Sequence, residues 1–201
     1  MPLLDKFKED CFSSKSDSIV QRYLIESSTY FFKEIEKGKE YDFKKEIASI
    51  LNVHIRDIVI VGSAKLGFSL KPDNSDLGLY LFKEFDHNFK NKLSEKKSDL
   101  DIAIVSSYLF DKEIKNLYDH TGFYKNNWSD RNSLAKYVLK GRLNIRFLPL
   151  DFQFTKELLE VQEKYKMLYG REVNLEIYKS WHYFETYHQE NIKTIQVNLL
   201  R

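Results

Sequence analysis

With one cysteine, three prolines and seven glycines in 201 residues, several architectures are excluded at once. Cys11 has no partner for an internal disulfide, which fits a reducing cytoplasm. The five histidines show no ligand spacing and no Cys–His cluster exists, so no zinc site is expected, and His182 and His188 read as surface or packing residues. No apolar run approaches the ~20 residues of a membrane span, and the N-terminus lacks the charged-then-apolar order of a signal peptide. These features predict a cytoplasmic protein with no membrane partner. Charge of one sign is also missing: 32 basic residues face 30 acidic ones, for a net charge of +2. Such a balance neither demands nor excludes a nucleic-acid partner, and any phosphate recognition must come from a local patch. There is no internal repeat, no low-complexity tract, and no acidic run to line a cleft for a cationic acceptor.

What is present is core material, 42% hydrophobic and 15% aromatic. It predicts a single domain over 1–201, with a helical segment at 1–52, a core at 53–178 carrying an insertion at 71–98, and a C-terminal helix at 179–201. Ser16 or Asp17 can cap a helix whose apolar positions run from Ile19 to Ile35 at helical spacing. A second helix spans about 41–51. Ile58 to Val61 is a β-branched run ending in Gly-Ser, hence a buried strand that breaks into a tight turn, with a helix over about 64–70 behind it. Between Lys71 and Ser98 the composition turns to Lys, Asp, Asn and Glu around an apolar patch at 77–82, consistent with an inserted hairpin or mobile loop. A second strand, beginning at Asp99, follows. Helices are expected near 109–118 and 132–139, with Gly141 stopping the latter. Leu143, Ile145 and Phe147 alternate as a third strand closed by Pro149. A helix at 155–169, a strand at 173–178 and an aromatic-rich helix from Lys179 complete an α+β chain.

The chemistry concentrates in two places, Val61-Gly62-Ser63 and Ser98-Asp99-Leu100-Asp101. Strand alternation puts Asp99 and Asp101 on one face. Two acids there repel each other unless cations or donors compensate them, and the usual compensation is a divalent metal. Glycine lets backbone approach a phosphate, the Ser63 hydroxyl can donate to it, and the following helix start adds amide donors. Magnesium takes one or two carboxylates plus substrate phosphates and keeps waters. Two such ions about 4 Å apart can hold an attacking hydroxyl and a leaving pyrophosphate in line.

The stretch Gly62-Ser63-Ala64-Lys65-Leu66-Gly67, joined to Ser98-Asp99-Leu100-Asp101, resembles the nucleotidyltransferase superfamily that includes DNA polymerase β. The resemblance implies a mixed-sheet core, Mg²⁺ or Mn²⁺ as two ions on Asp99 and Asp101, and a nucleoside triphosphate held by Gly62, Ser63 and Lys65. It implies transfer of NMP or dNMP to a hydroxyl with release of pyrophosphate. Small stand-alone members resemble enzymes of bacterial conflict systems, including makers of nucleotide or oligonucleotide signals in anti-phage defence (the Hailong type among them) and protein-modifying toxin or antitoxin partners. An oligonucleotide product and a protein partner from the same system are therefore expectations.

The chain departs from the family pattern twice. The acid pair normally follows the Gly-Ser closely; Ser75-Asp76-Leu77-Gly78 stands at that distance but has glycine where the second acid belongs, so the strand quality of 101–105 selects Asp99 and Asp101. The superfamily also commonly places a third carboxylate on another strand. The third strand offers Asn144 and Arg146 instead, leaving Asp151 as first candidate and Glu176 as second. Each assignment has a plainer counterpart. The acid pair can be salt-bridged, Ser63 can merely shape its turn, and Lys65, Arg142, Arg146 and Lys179 can be solvated rather than on triphosphate. Tyr183 and Tyr187, one turn apart, pack by default; the sharper reading makes Tyr187 a nucleotide acceptor or primer. A catalytically weak antitoxin-like module and a protein-nucleotidylating enzyme are the alternative functions, and oligomeric state is left open.

Overall fold

The computed structural model describes residues 2–200 as an α+β chain with a four-stranded mixed sheet. The strands are β1 (Ile58–Val61), β2 (Leu100–Val105), β3 (Arg142–Asn144) and β4 (Val173–Tyr178), in the order β1-β2-β4-β3. β3 and β4 pair antiparallel, with Arg142 opposite Tyr178, Leu143 opposite Ile177 and Asn144 opposite Glu176. No helix among the described residues is long and apolar enough to cross a membrane.

The chain divides into two compact units; two of their four boundaries fall inside β1 and after the first residue of β2, the other two inside helices. The first comprises 2–41, 60–100 and 185–200 of the described residues. It contains α1 (Pro2–Ser13), α2 (Ser16–Ile19) and its continuation to Glu26, and most of α9, whose full range is Trp181–Leu199. Phe7 and Cys11 of α1, one turn apart, join Ile19, Val20, Tyr23, Leu24, Ile192 and Ile195 in a closed apolar cluster. Gln196 of α9 ties down the end of α1 by donating to the carbonyls of Cys11 and Ser14, each at 2.9 Å. Burial, with a smaller contribution from Asp10, pushes the Cys11 thiol up to about 11, so it is inert as a nucleophile at neutral pH.

The expected continuous helix to Ile35 is interrupted. It widens over Val20–Glu26 into π-type turns, closed by Ser27 N–H on the Arg22 carbonyl at 3.1 Å. It stops at Ser27-Ser28-Thr29 and resumes as Phe31–Ile35. Hydroxyl side chains compete with helical hydrogen bonds: Ser27 Oγ donates to the Tyr23 carbonyl at 2.6 Å, and buried Thr29 donates to Glu40 at 2.7 Å. Beside this segment the Tyr23 hydroxyl (2.7 Å) and the Arg22 guanidinium (2.5 Å) hold the Asp10 carboxyl below the usual carboxylate range. A depressed pKa contributes stability that is complete above the ordinary value and lost as pH falls through the folded value. Urea midpoints followed from pH ~6 to pH ~2 should therefore drop less steeply for Asp10→Asn than for the wild type.

The second unit comprises 42–59 and 101–184. It holds most of α3 (Glu40–Leu51), together with α6 (Ser107–His120), α7 (Arg131–Leu139) and α8 (Lys156–Tyr169). α6 and α8 pack on β4, whose Val173, Leu175 and Ile177 are fully buried. Phe43 of α3 meets Tyr165 of α8 at 4.5 Å between ring centres. The third strand is shorter than its alternation predicts, because residues 145–147 wind into a 3₁₀ turn capped by the Asn144 side chain, which accepts from Arg146 N–H at 2.8 Å. Gly141 stops α7 with φ +62°, and a Cβ there would lie 2.2 Å from the Tyr183 ring. Gly38, at φ +78°, has nothing within 4 Å of the same position. Gly38→Ala should cost only the left-handed backbone, about 1 kcal/mol, whereas Gly141→Ala adds a collision and should cost about 3 kcal/mol in chemical unfolding.

Candidate functional site

β1 is four buried β-branched residues, and Val61 is still extended when Gly62 takes φ +67° and turns the chain straight into a helix. Only glycine adopts that backbone at no steric cost. Gly62 and Ser63 reach the surface while the next residues are buried. The helix is α4 (Gly62–Leu66), shorter than the predicted 64–70, and Gly67 ends it at φ +83° under the Tyr30 ring. One short turn has little macrodipole, so any phosphate contact here depends on local amides and the Ser63 hydroxyl.

Lys65, expected to face the nucleotide, is only 2% exposed, and its ammonium donates to the Ser27 carbonyl. It caps the end of the Val20–Glu26 turns, a favourable place for a cation. Contact with a triphosphate requires it to leave that carbonyl.

Asp99 immediately precedes β2 rather than lying within it, and it is exposed. Asp101 is the one residue of the strand that is not fully buried, and it accepts from Asn174 Nδ2 of β4 at 2.8 Å. Asn174 was not singled out from the sequence, although an asparagine among Val173, Leu175 and Ile177 is a usable signal. Two residues on, on the same face of β4, stands Glu176. Arg142 reaches it through Nε (3.2 Å) and Nη2, Asn144 Nδ2 at 2.9 Å and the Tyr178 hydroxyl at 3.1 Å. A carboxylate offers about four acceptor positions, and these four donors fill them. Arg142, considered above for triphosphate, is thus held by Glu176, and its guanidinium also lies 5.2 Å from the Tyr137 ring.

The remaining candidates make contacts of their own. Asp151 sits on the loop after Pro149, its side chain 82% exposed and 3.4 Å from His120 Nε2. Lys179 pairs with Asp111 at 2.8 Å, and Arg146 is exposed in the 3₁₀ turn. Tyr183 packs on Gly141. Tyr187 is half-buried, edge-on to the His188 ring at 5.1 Å. Buried Glu113 of α6, unremarked in the sequence, accepts from Thr155 N–H at 3.3 Å and so caps α8.

No group of three or more His, Cys, Asp or Glu among the described residues is arranged to hold a metal ion. A closed protein cage is therefore absent from them. The donor set that exists is an Asp-x-Asp pair of hard oxygens at the exposed start of a strand, which suits an ion taking its other ligands from phosphate and water. Compared with known protein families, with curated proteins and with solved structures, the chain matches none.

Proposed function

We propose that this chain is a metal-dependent nucleotidyltransferase, moving NMP or dNMP from a nucleoside triphosphate to a hydroxyl. The observation that carries the reading is a left-handed glycine turning β1 directly into Ser63, together with an Asp-x-Asp pair opening β2, its neighbour in the sheet order. Asp99 and Asp101 would hold Mg²⁺ or Mn²⁺, which when bound neutralises charge on the triphosphate and the leaving pyrophosphate. Gly62 leaves room for a phosphate against the backbone, and Ser63 donates to it. Asn174 orients Asp101. The acceptor oxygen forms a bond to the α-phosphorus, the α–β bridging bond breaks, pyrophosphate departs, and the hydroxyl proton passes to solvent or a nearby carboxylate. The biological role in accord with this chemistry is the making of a nucleotide or oligonucleotide signal in bacterial anti-phage defence.

A second reading follows from Glu176. With its acceptor positions filled and Asp151 out on a loop, no strand-borne third carboxylate among the described residues stands ready to deprotonate the acceptor. Such a protein would bind nucleotide and act by protein contact, as an antitoxin does. The two readings separate in one assay: pyrophosphate release from each NTP and dNTP with Mg²⁺ or Mn²⁺, with products resolved on a denaturing gel. Release supports transfer, and the product's size tells a signal from a polymer or a self-labelled protein. Binding without release under every condition supports the binding module.

A further inference from the structure

Residues 87–97, which open with the one-turn helix α5 (His87–Lys90), form an excursion whose two ends are clasped together. Asp86 N–H donates to Ser98 Oγ at 2.9 Å, and Ser98 N–H donates to Asp86 Oδ1 at 2.7 Å. Asp86 is buried and left-handed at φ +63°, so the clasp is part of the packed structure. The interior is hydrogen-bonded to itself: Lys90 N–H on the Asp86 carbonyl, Asn91 N–H on the His87 carbonyl and Leu93 N–H on the Asn88 carbonyl, at 2.8, 3.0 and 2.8 Å. The loop is therefore a shaped lobe whose base adjoins Asp99 in the sequence.

Its chemistry is lopsided within a nearly neutral chain. Lys90, Lys92, Lys96 and Lys97 stand against Glu95 as the sole acid. None of the four ammonium groups has a carboxylate partner among the described residues. Phe89 is 41% exposed, with the Lys97 ammonium 6.0 Å from its ring centre. Unpaired lysines that track phosphates, interleaved with an exposed aromatic on which a base can stack, are the elements of sequence-tolerant single-strand binding. We infer that the 87–97 lobe binds single-stranded nucleic acid, with phosphates along Lys90, Lys92, Lys96 and Lys97 and a base on Phe89. The strand's role as the hydroxyl acceptor delivered toward Asp99 rests on the transferase reading above; its binding does not. An anionic membrane surface also attracts lysines, but it would want a larger apolar contribution than Phe89 and Leu93 supply.

The test is fluorescence anisotropy with a labelled single strand of about 12 nucleotides, a length one binding lobe covers, in EDTA and without nucleotide. Affinity of the full chain should fall with salt, by a log–log slope of about −0.7 for each phosphate neutralised. Replacing the four lysines with alanine should weaken binding at least tenfold at about 50 mM salt and flatten the slope by about 3 units. Phe89→Ala should weaken it about tenfold with the slope unchanged. Equal affinity and slope in the lysine variant would overturn the inference, as would capture by phosphatidylserine vesicles with no strand binding. Strand binding without pyrophosphate release keeps the lobe and removes the transferase; release without strand binding does the reverse.

Discussion

Asp101→Asn should abolish pyrophosphate release while leaving the fold intact. The substituted amide keeps a carbonyl oxygen at the position that accepts from Asn174 Nδ2, so the β2–β4 hydrogen bond at 2.8 Å survives. What disappears is the negative charge on which the proposed divalent ion would depend. Metal coordination stabilises transferring phosphate by several kcal/mol, and each ~1.4 kcal/mol is a factor of ten in rate. The expected loss is therefore about 10²- to 10³-fold or more, with an unchanged melting profile. Asp99→Asn should cost a similar factor, with even less structural consequence, since that residue is exposed and lies outside the strand. Asp151→Asn serves as the control carboxylate: on its exposed loop beside His120 it should leave the rate within about twofold. If Asp101→Asn keeps near wild-type release, the acid pair is a structural polar contact and the metal assignment is wrong.

Much of this arrangement was legible because its signals are local. The apolar alternation of 173–178 marks β4 at its observed bounds, and Gly170 stops α8 in the left-handed conformation its position implies. Ile58 to Val61 reads as a buried strand because a β-branched run ending at glycine has few other options. The misreadings share a cause: polar side chains whose hydrogen-bond partners the spacing of apolar residues does not reveal. Leu143, Ile145 and Phe147 alternate like a strand, yet Asn144 uses its side chain to cap Arg146 N–H and winds the next turn into 3₁₀ geometry. The helix expected to reach Ile35 breaks where Thr29 finds Glu40. Lys65 looked like a phosphate ligand because it follows the Gly-Ser turn, but helical spacing points it inward to a carbonyl at Ser27. α1 falls in the helical segment expected over 1–52, but its own bounds were not read from Phe7 and Cys11, which stand one turn apart. Glu176 could be named as a carboxylate on a strand, but three of its four donors belong to Arg142 and Asn144, which the antiparallel register brings beside it, and the fourth to Tyr178 on its own strand.

That register makes Arg142→Ala the substitution with the largest expected effect on stability. The Arg142 and Glu176 side chains are only 7% and 14% exposed. Removing one partner of a buried ion pair leaves the other charge without compensation, typically at a cost of about 3–5 kcal/mol. At about 2–4 °C per kcal/mol for a chain of this size, the melting point should fall by about 6–20 °C. Asn144 and Tyr178 would still donate to Glu176, which places the result toward the lower end of that range. A loss below about 1 kcal/mol would mean that the pair is effectively solvated. Glu176→Gln then separates structure from chemistry. As a positioning residue, Glu176 acts through Arg142, Asn144 and Tyr178; the amide should lower the melting point and reduce release no more than the accompanying unfolding explains, leaving the pH profile of the folded fraction unchanged. As the base for the acceptor hydroxyl, it would instead lose release by about 10²- to 10⁴-fold in a protein that is still folded. Four donors on one carboxylate favour the first outcome, because a lone pair already accepting a charge-assisted hydrogen bond is poorly placed to take a proton.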